Sequence, residues 1–365
     1  VPWPKLTYSY DKRIFLDYNI NTYDMNMCYW LVFNIPIEVV YPTNIMSYHR
    51  WYYTLKNVND IVPIVLFIQH CKLIVDNFLK CLIDIPFERP LDFYNNIIID
   101  NFKKIEDVGL PFNKIELFNR FNKKYETLHP HFNVFTLTGR PSNTWDNINF
   151  AALNKSDGSR KIIEVVDKDE RLIEFDYDSH HVRLVANLID YKLPDGNLHD
   201  YFGRQYFNTP ILTTEQYEES KQITFRAMYG INMEEFEMVP FFKKLYEFRV
   251  STWEQFNMDG YYEMPLSKRK IHSSNFEDLT SNKLFNYILQ GYETEVNNIM
   301  LHNIFRYLYN KTSRLILYTY DSFLFRFHKS DGKEFITDMK NIFNQFGMRT
   351  SLKVGTNYHE MVKQK

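Results

Sequence analysis

Apolar side chains recur at three- and four-residue spacing through residues 60–83, the period of a helix with one buried stripe, and Pro86 and Pro90 interrupt the pattern. Two more helical periods, 92–104 and 113–127, lead through His129-Pro130-His131 to an extended stretch at 132–137. Short β-type runs follow, among them 161–166 and 172–177, before a helical pattern sets in near Ser179. A mostly helical block at 199–257 ends in a hairpin predicted over 260–271. The remaining chain reads as a helix (283–310), a strand pair around Tyr320-Asp321, a helix (332–346) and a strand (349–354). β segments on both sides of the helical block can join one sheet only if the block is inserted between them. The order therefore predicts an α+β fold, with a small sheet, a helical insertion and a preceding helical lobe.

Composition narrows the function classes. Across 365 residues, 43 basic and 45 acidic side chains leave a net charge of -2, which excludes a blanket of positive charge but leaves room for a basic groove. Three cysteines, Cys28, Cys71 and Cys81, form no CxxC pair, so neither a disulfide framework nor a structural zinc site is expected, and a reducing compartment is. The apolar run 61–68 is broken by Pro63 and too short to span a bilayer; a soluble, cytoplasmic protein without membrane contact is expected. The first residue is Val, which suggests a fragment or a processed chain. An aromatic fraction of 17% fits the codon bias of an AT-rich genome.

Chemistry enters at two strands. Ile173-Glu174-Phe175-Asp176-Tyr177-Asp178 and Leu315-Ile316-Leu317-Tyr318-Thr319-Tyr320-Asp321 each carry an apolar run to a terminal Asp. Side by side, they would bring two carboxylates to the same divalent cations, as two-metal phosphoryl transfer requires. Alone, each is also what a strand ending in a turn Asp looks like. A second signal is the helix opened by the capping box Thr213/Gln216, which sets Lys221, Phe225 and Tyr229 at i, i+4 and i+8. Members of that series rotate by only about 40° and share a face over about 12 Å, close to the length of a nucleoside triphosphate. The ammonium can meet phosphates while the rings meet sugar and base.

These segments, in this order, resemble the motifs of family A DNA polymerases, the bacterial polymerase I type, and within it divergent phage-encoded members. Thr138-Gly139-Arg140-Pro141-Ser142 with Asn147-Ile148-Asn149 resembles the TGR segment; Asp176 to Arg183 resembles motif A; Lys221 to Gly230 resembles motif B. Asn286-Tyr287-Ile288-Leu289-Gln290-Gly291 resembles the N-x-x-x-Q-G helix, Tyr320-Asp321-Ser322 resembles motif C, and Asn197-Leu198-His199 stands where the family has D-I-H. The resemblance covers roughly residues 115–360.

It implies a right-hand polymerase fold: a helical thumb at 61–130, an antiparallel-sheet palm at 131–190 and 275–365, and helical fingers at 191–274. Asp176 and Asp321, with the Tyr177 carbonyl, would hold two Mg2+ ions; Lys221 and His199 would steady the triphosphate beside Phe225, Tyr229 and His181. Arg140, Asn147, Asn149, Asn286, Gln290 and Tyr320 would hold primer–template DNA, with Lys268 and Arg269 tracking phosphate or forming a solvated charge run. The expected partners are primer–template, dNTPs and a processivity or exonuclease partner. Residues 1–60 would be the tail of a proofreading exonuclease, on the faint signal of Asn57-Val58-Asn59-Asp60.

Four positions depart from the family: His181 replaces its Glu, Tyr217 its Arg, Tyr320 its His and Ser322 its acid. His181 keeps a single-subunit RNA polymerase in view, and a catalytically weak DNA-binding module is the alternative from another class. Neighbours on a helix point about 100° apart, so His180 and His181 are not expected to converge on one ligand.

Overall fold

The computed structural model describes residues 93–134, 136, 138–146, 148–229, 239–273, 276 and 278–364. The helix expected at 60–83, the exonuclease-like segment and Asn147 lie outside them.

The fold mixes helices with antiparallel sheets. A π-helical turn at Tyr94–Ile99 runs into helix α1 (Asp100–Val108). Helix α2 (Lys114–Phe121) starts where the Asn113 side chain accepts from the Ile115 and Glu116 amides, and it stops at Asn122 in the left-handed conformation, six residues short of the expected end. A short three-stranded sheet follows, of β1 (Phe132–Asn133), β2 (Ser142–Trp145) and β3 (Ile148–Asn149). Among the described residues of the stretch at 132–137, the first two are strand, and the hairpin of β2 and β3 goes beyond the expected elements. The β-run expected at 161–166 is corrected as well. Ser159–Ile162 is a 3-10 turn entered through Gly158 at φ 72°, and only isolated bridges, Phe112 to Ile163 and Glu164 to Asn357, follow. Its β-branched residues Ile162, Ile163 and Val165 are there because they are buried, not because they pair.

Strand β4 (Glu170–Tyr177) leads to helix α3 (His180–Leu188) and then to three helices of the inserted block, α4 (Leu198–Tyr206), α5 (Thr214–Tyr229) and α6 (Pro240–Asp259). The expected capping box holds α5: the Thr213 amide donates to Gln216 Oε1 at 3.0 Å and the Gln216 amide to Thr213 Oγ1 at 3.2 Å. The hairpin β5 (Tyr261–Glu263) and β6 (Lys270–His272) closes the block. Helix α7 (Ser281–Leu308), strands β7 (Arg314–Tyr318) and β8 (Ser322–His328), helix α8 (Glu334–Asn344) and strands β9 (Thr350–Gly355) and β10 (Val362–Gln364) complete the chain.

The main sheet has the order β10-β9-β4-β8-β7, with every neighbouring pair antiparallel. β4, from before the helical block, is its central strand, so the interrupted sheet expected from the sequence forms. Alternation along β4 sends Ile173, Phe175 and Tyr177 into the larger core with residues of α3, α7 and α8, and sends Leu172 into a second core on the other face. Glu174 and Asp176 share that second face, two residues apart.

Candidate active site

Asp176 lies opposite Ser322 and Ser351, at the end of the central strand. Asp321 sits one residue before Ser322, in the turn between β7 and β8, where Tyr320 takes φ 63°. Three hydrogen bonds fix that turn: the Tyr177 amide donates to the Asp321 carbonyl at 2.9 Å, the Asp321 amide to the Thr319 carbonyl at 2.8 Å, and Asn297 Nδ2 to the Tyr320 carbonyl at 2.8 Å. Although Asp321 is exposed on one side, partial desolvation raises its carboxyl above the ordinary value, and the charge of Asp176 raises it further. The two acids therefore feel each other across the strand end.

A third carboxylate went unnoticed in the sequence. Glu174 is 1% exposed and accepts from Ser322 Oγ and Tyr358 OH, both at 2.8 Å, and from Lys353 Nζ at 2.7 Å. The same ammonium lies 2.6 Å from Asp176 Oδ2. Burial pushes the Glu174 carboxyl up, but these donors outweigh it and hold it below its ordinary range; Lys353, opposed by burial, is raised by the two carboxylates.

On α5, Lys221, Phe225 and Tyr229 line one hollow of about 400 Å³, while Ile223 and Ala227 turn to the core. The polar-aromatic stripe belongs to the cavity, which answers why a Lys is in line with it. His181 from α3, His199 from α4, Arg140 and Asp321 border the same hollow. Phe225 remains 66% exposed, its ring 4.9 Å from that of Tyr229. Lys221 pairs with Glu218 at 2.7 Å and lies 4.5 Å from the Tyr217 ring centre. His199 loses basicity through burial and then through the charge of Lys221. Its Nε2 is 3.5 Å from Ser179 Oγ. A second, more polar hollow of about 410 Å³ adjoins at Ser179 and His199, with Arg183, Arg349 and Lys363 around it.

Helix α7 supplies a polar stripe at Asn286, Gln290, Glu293 and Asn297. Asn286 and Gln290 are half-buried, and Asn286 Oδ1 has no hydrogen-bond partner among the described residues. Glu293 is fully buried: Arg140 Nε reaches its Oε2 at 2.9 Å, and His180 Nδ1 and His181 Nε2 both approach its Oε1 at 3.3 Å. Burial would raise this carboxyl, but the two imidazoles and Arg140 hold it far below the ordinary range. His180 and His181 thus converge on one group, against the expectation from helical rotation, because α3 begins at His180 and both rings turn to the same neighbour. The three residues lie close enough for one metal ion, yet Arg140 already meets the charge of Glu293. His181 Nδ1 is hydrogen-bonded to Tyr229 OH. Asn297, also fully buried, accepts from Tyr177 OH at 3.2 Å and donates to Tyr318 OH at 2.9 Å. Continuing the spacing from Asn286 and Gln290 by one and two further turns would have found both Glu293 and Asn297.

Thr138-Gly139-Arg140 packs against this helix as a turn with Gly139 at φ 78°. A Cβ on Gly291 would stand 3.1 Å from the Thr138 carbonyl and 2.8 Å from Met264 Cε, which is why α7 carries Gly where the turn approaches. The Arg140 guanidinium, besides holding Glu293, lies 3.8 Å from the Tyr320 ring centre. Asn149 is exposed and caps a short 3-10 turn, accepting from the Ala151 and Ala152 amides. The phosphate-tracking role expected of Arg269 is corrected: it is 1% exposed and donates to the Thr138 carbonyl at 3.3 Å, so it braces the turn from inside. Lys268 is on the surface, 3.4 Å from Glu263.

No family model and no curated protein matches the chain. Among solved structures, its fold is similar to that of the POL domain of Pol1 from M. smegmatis, a structure in complex with DNA primer-template and dNTP. The similarity has a TM-score of 0.54 at 17% identity and covers 64% of this chain, which spans about half (48%) of that one. No helix of the described residues is long and apolar enough to cross a membrane.

Proposed function

We propose that this chain is a template-directed DNA polymerase that adds dNTPs to a primer 3′ end by phosphoryl transfer at a two-metal centre. The observation that carries the proposal is the single hollow bordered by Lys221, His199, Phe225, Tyr229, His181 and Asp321, with Asp176 on the strand beside the turn that holds Asp321. It joins an ammonium and an imidazole for a triphosphate, rings for a sugar and base, and an acid in a turn at a strand end. In this reading residues 131–190 and 275–365 are the palm, 191–274 the fingers and 61–130 the thumb, as the resemblance implies.

The acids fit hard cations. Asp321 is held up by partial desolvation and by its like-charged neighbour, a cost that a divalent ion shared by the two would relieve. Asp176 and Asp321 would hold two Mg2+ ions, with the Tyr177 carbonyl as a further oxygen. Bound there, the ions supply acidity to the primer hydroxyl and neutralise charge on the phosphorus oxygens. Lys221 and His199 orient the triphosphate, Phe225 and Tyr229 stack on sugar and base, and Arg140 with Asn286 and Gln290 faces the duplex. Primer extension with dNTPs and with NTPs tests the reading. Extension with dNTPs alone supports it; extension with NTPs alone replaces it with an RNA polymerase; no extension, with primer–template still bound, leaves a DNA-binding module.

Phe225 gives a further test. A Tyr there would offer a hydroxyl in place of the one missing from a dideoxynucleotide, so Phe225→Tyr is expected to raise dideoxy incorporation about tenfold, the worth of one hydrogen bond of roughly 1.4 kcal/mol. The side chain is exposed to the hollow, so the fold should tolerate the change. Dideoxy ladders of equal termination for wild type and variant would remove Phe225 from the sugar's 3′ side.

A further inference from the structure

We infer that Glu293 is a positioning residue for sugar selection, fixing the tautomer of His181 and through it the hydroxyl of Tyr229. The inference rests on the polymerase reading of the same hollow.

An ionised carboxylate only accepts hydrogen bonds. Glu293 is held ionised by Arg140 at 2.9 Å, so the His181 nitrogen that faces it, Nε2 at 3.3 Å, must carry a proton to pair with it. In neutral His181 that leaves Nδ1 as the acceptor, and Tyr229 OH, its partner there, has to donate. The relay Arg140, Glu293, His181, Tyr229 then has one set of proton positions. It crosses from the turn before β2, through α7 and α3, to the last residue of α5. Because Tyr229 borders the hollow and its hydroxyl is engaged, its ring is fixed where the sugar of a nucleotide would lie. Glu293 itself is fully buried and acts on the sugar only through His181. The carboxylate comes from a different helix than the histidine it directs, and nothing in the local sequence around His181 announces it.

The test is the ratio of NTP to dNTP incorporation for Glu293→Gln, His181→Ala and the double variant, with thermal melting of each and long-range 1H–15N spectra of the His181 ring. Glu293→Gln is expected to raise the ratio about fivefold, the factor carried by a hydrogen bond of about 1 kcal/mol. His181→Ala should raise it at least as much, and Glu293→Gln should add nothing in the His181→Ala background. The ring should be protonated at Nε2 in the wild type and lose that preference in Glu293→Gln. If Glu293→Gln does not fold, Glu293→Asp keeps the charge at shorter reach and should give the same changes in smaller measure. An unchanged ratio in a folded variant, full additivity in the double variant, or a wild-type ring protonated at Nδ1 overturns the inference. A wild type that does not extend primers at all overturns the polymerase reading instead, and the ring spectra then still decide the tautomer.

Discussion

Asp176→Ala and Asp321→Ala should each lower primer extension by at least a hundredfold while primer–template affinity stays within a factor of about two, because one lost ligand dismantles a two-metal centre and leaves the groove. The two variants should differ in stability. Asp321 is exposed on one side yet partly desolvated by its surroundings and repelled by Asp176, so removing its carboxylate relieves that repulsion and the melting temperature should hold or rise. Asp176 carries half of the charge that meets Lys353, but Glu174 keeps the ammonium partnered at 2.7 Å, so a modest loss is expected there. Fluorescence anisotropy for DNA, single-turnover extension and thermal melting together check this. Either variant retaining more than a few per cent of activity would remove that Asp from the metal centre.

Glu174→Ala should destabilise the fold by about 1–3 kcal/mol, the usual consequence of leaving buried donors without their acceptor, while Lys353 keeps Asp176 as a partner. The substitution strips Lys353 of a partner and leaves the Ser322 and Tyr358 hydroxyls without their acceptor. Urea titrations read the effect. A cost below about 1 kcal/mol for Glu174→Ala would mean that water replaces the carboxylate at no expense, contrary to its 1% exposure.

Much of this was legible in the residues themselves. The strand reading of Leu315 to Tyr318 followed from an unbroken apolar run, as a strand packed on both faces has, and that of Ile173 to Tyr177 from apolar residues at every second position. The stripe of Lys221, Phe225 and Tyr229 followed from helical arithmetic and lies on one hollow. What sequence could not supply was the partner across space. Glu174 reads as a polar interruption of an apolar strand until Lys353, 179 positions away, is found beside it. Arg269 reads as one of three surface cations until its burial is seen, because a charge run carries no mark of which member points inward. Residues 161–166 read as a strand because β-branched side chains serve any buried extended backbone, paired or not.

The placement of β4 has a consequence for how the chain is made. Its neighbours in the finished sheet, β8 and β9, begin at Ser322 and Thr350, 145 and 173 residues after β4 ends at Tyr177. At a ribosomal rate of about 5–20 residues per second, the middle strand waits roughly ten to thirty-five seconds before both flanks exist. During that interval Ile173 and Phe175 lack the residues of α7 and α8 that complete their core, and both edges of the strand offer unpaired amides and carbonyls to any passing chain. The inserted helices, whose contacts are local, can fold meanwhile and are expected to do so first. Nascent chains stalled after residue 275 should therefore hold a protease-resistant helical block beside an exposed β4, the point at which a holdase chaperone would matter most.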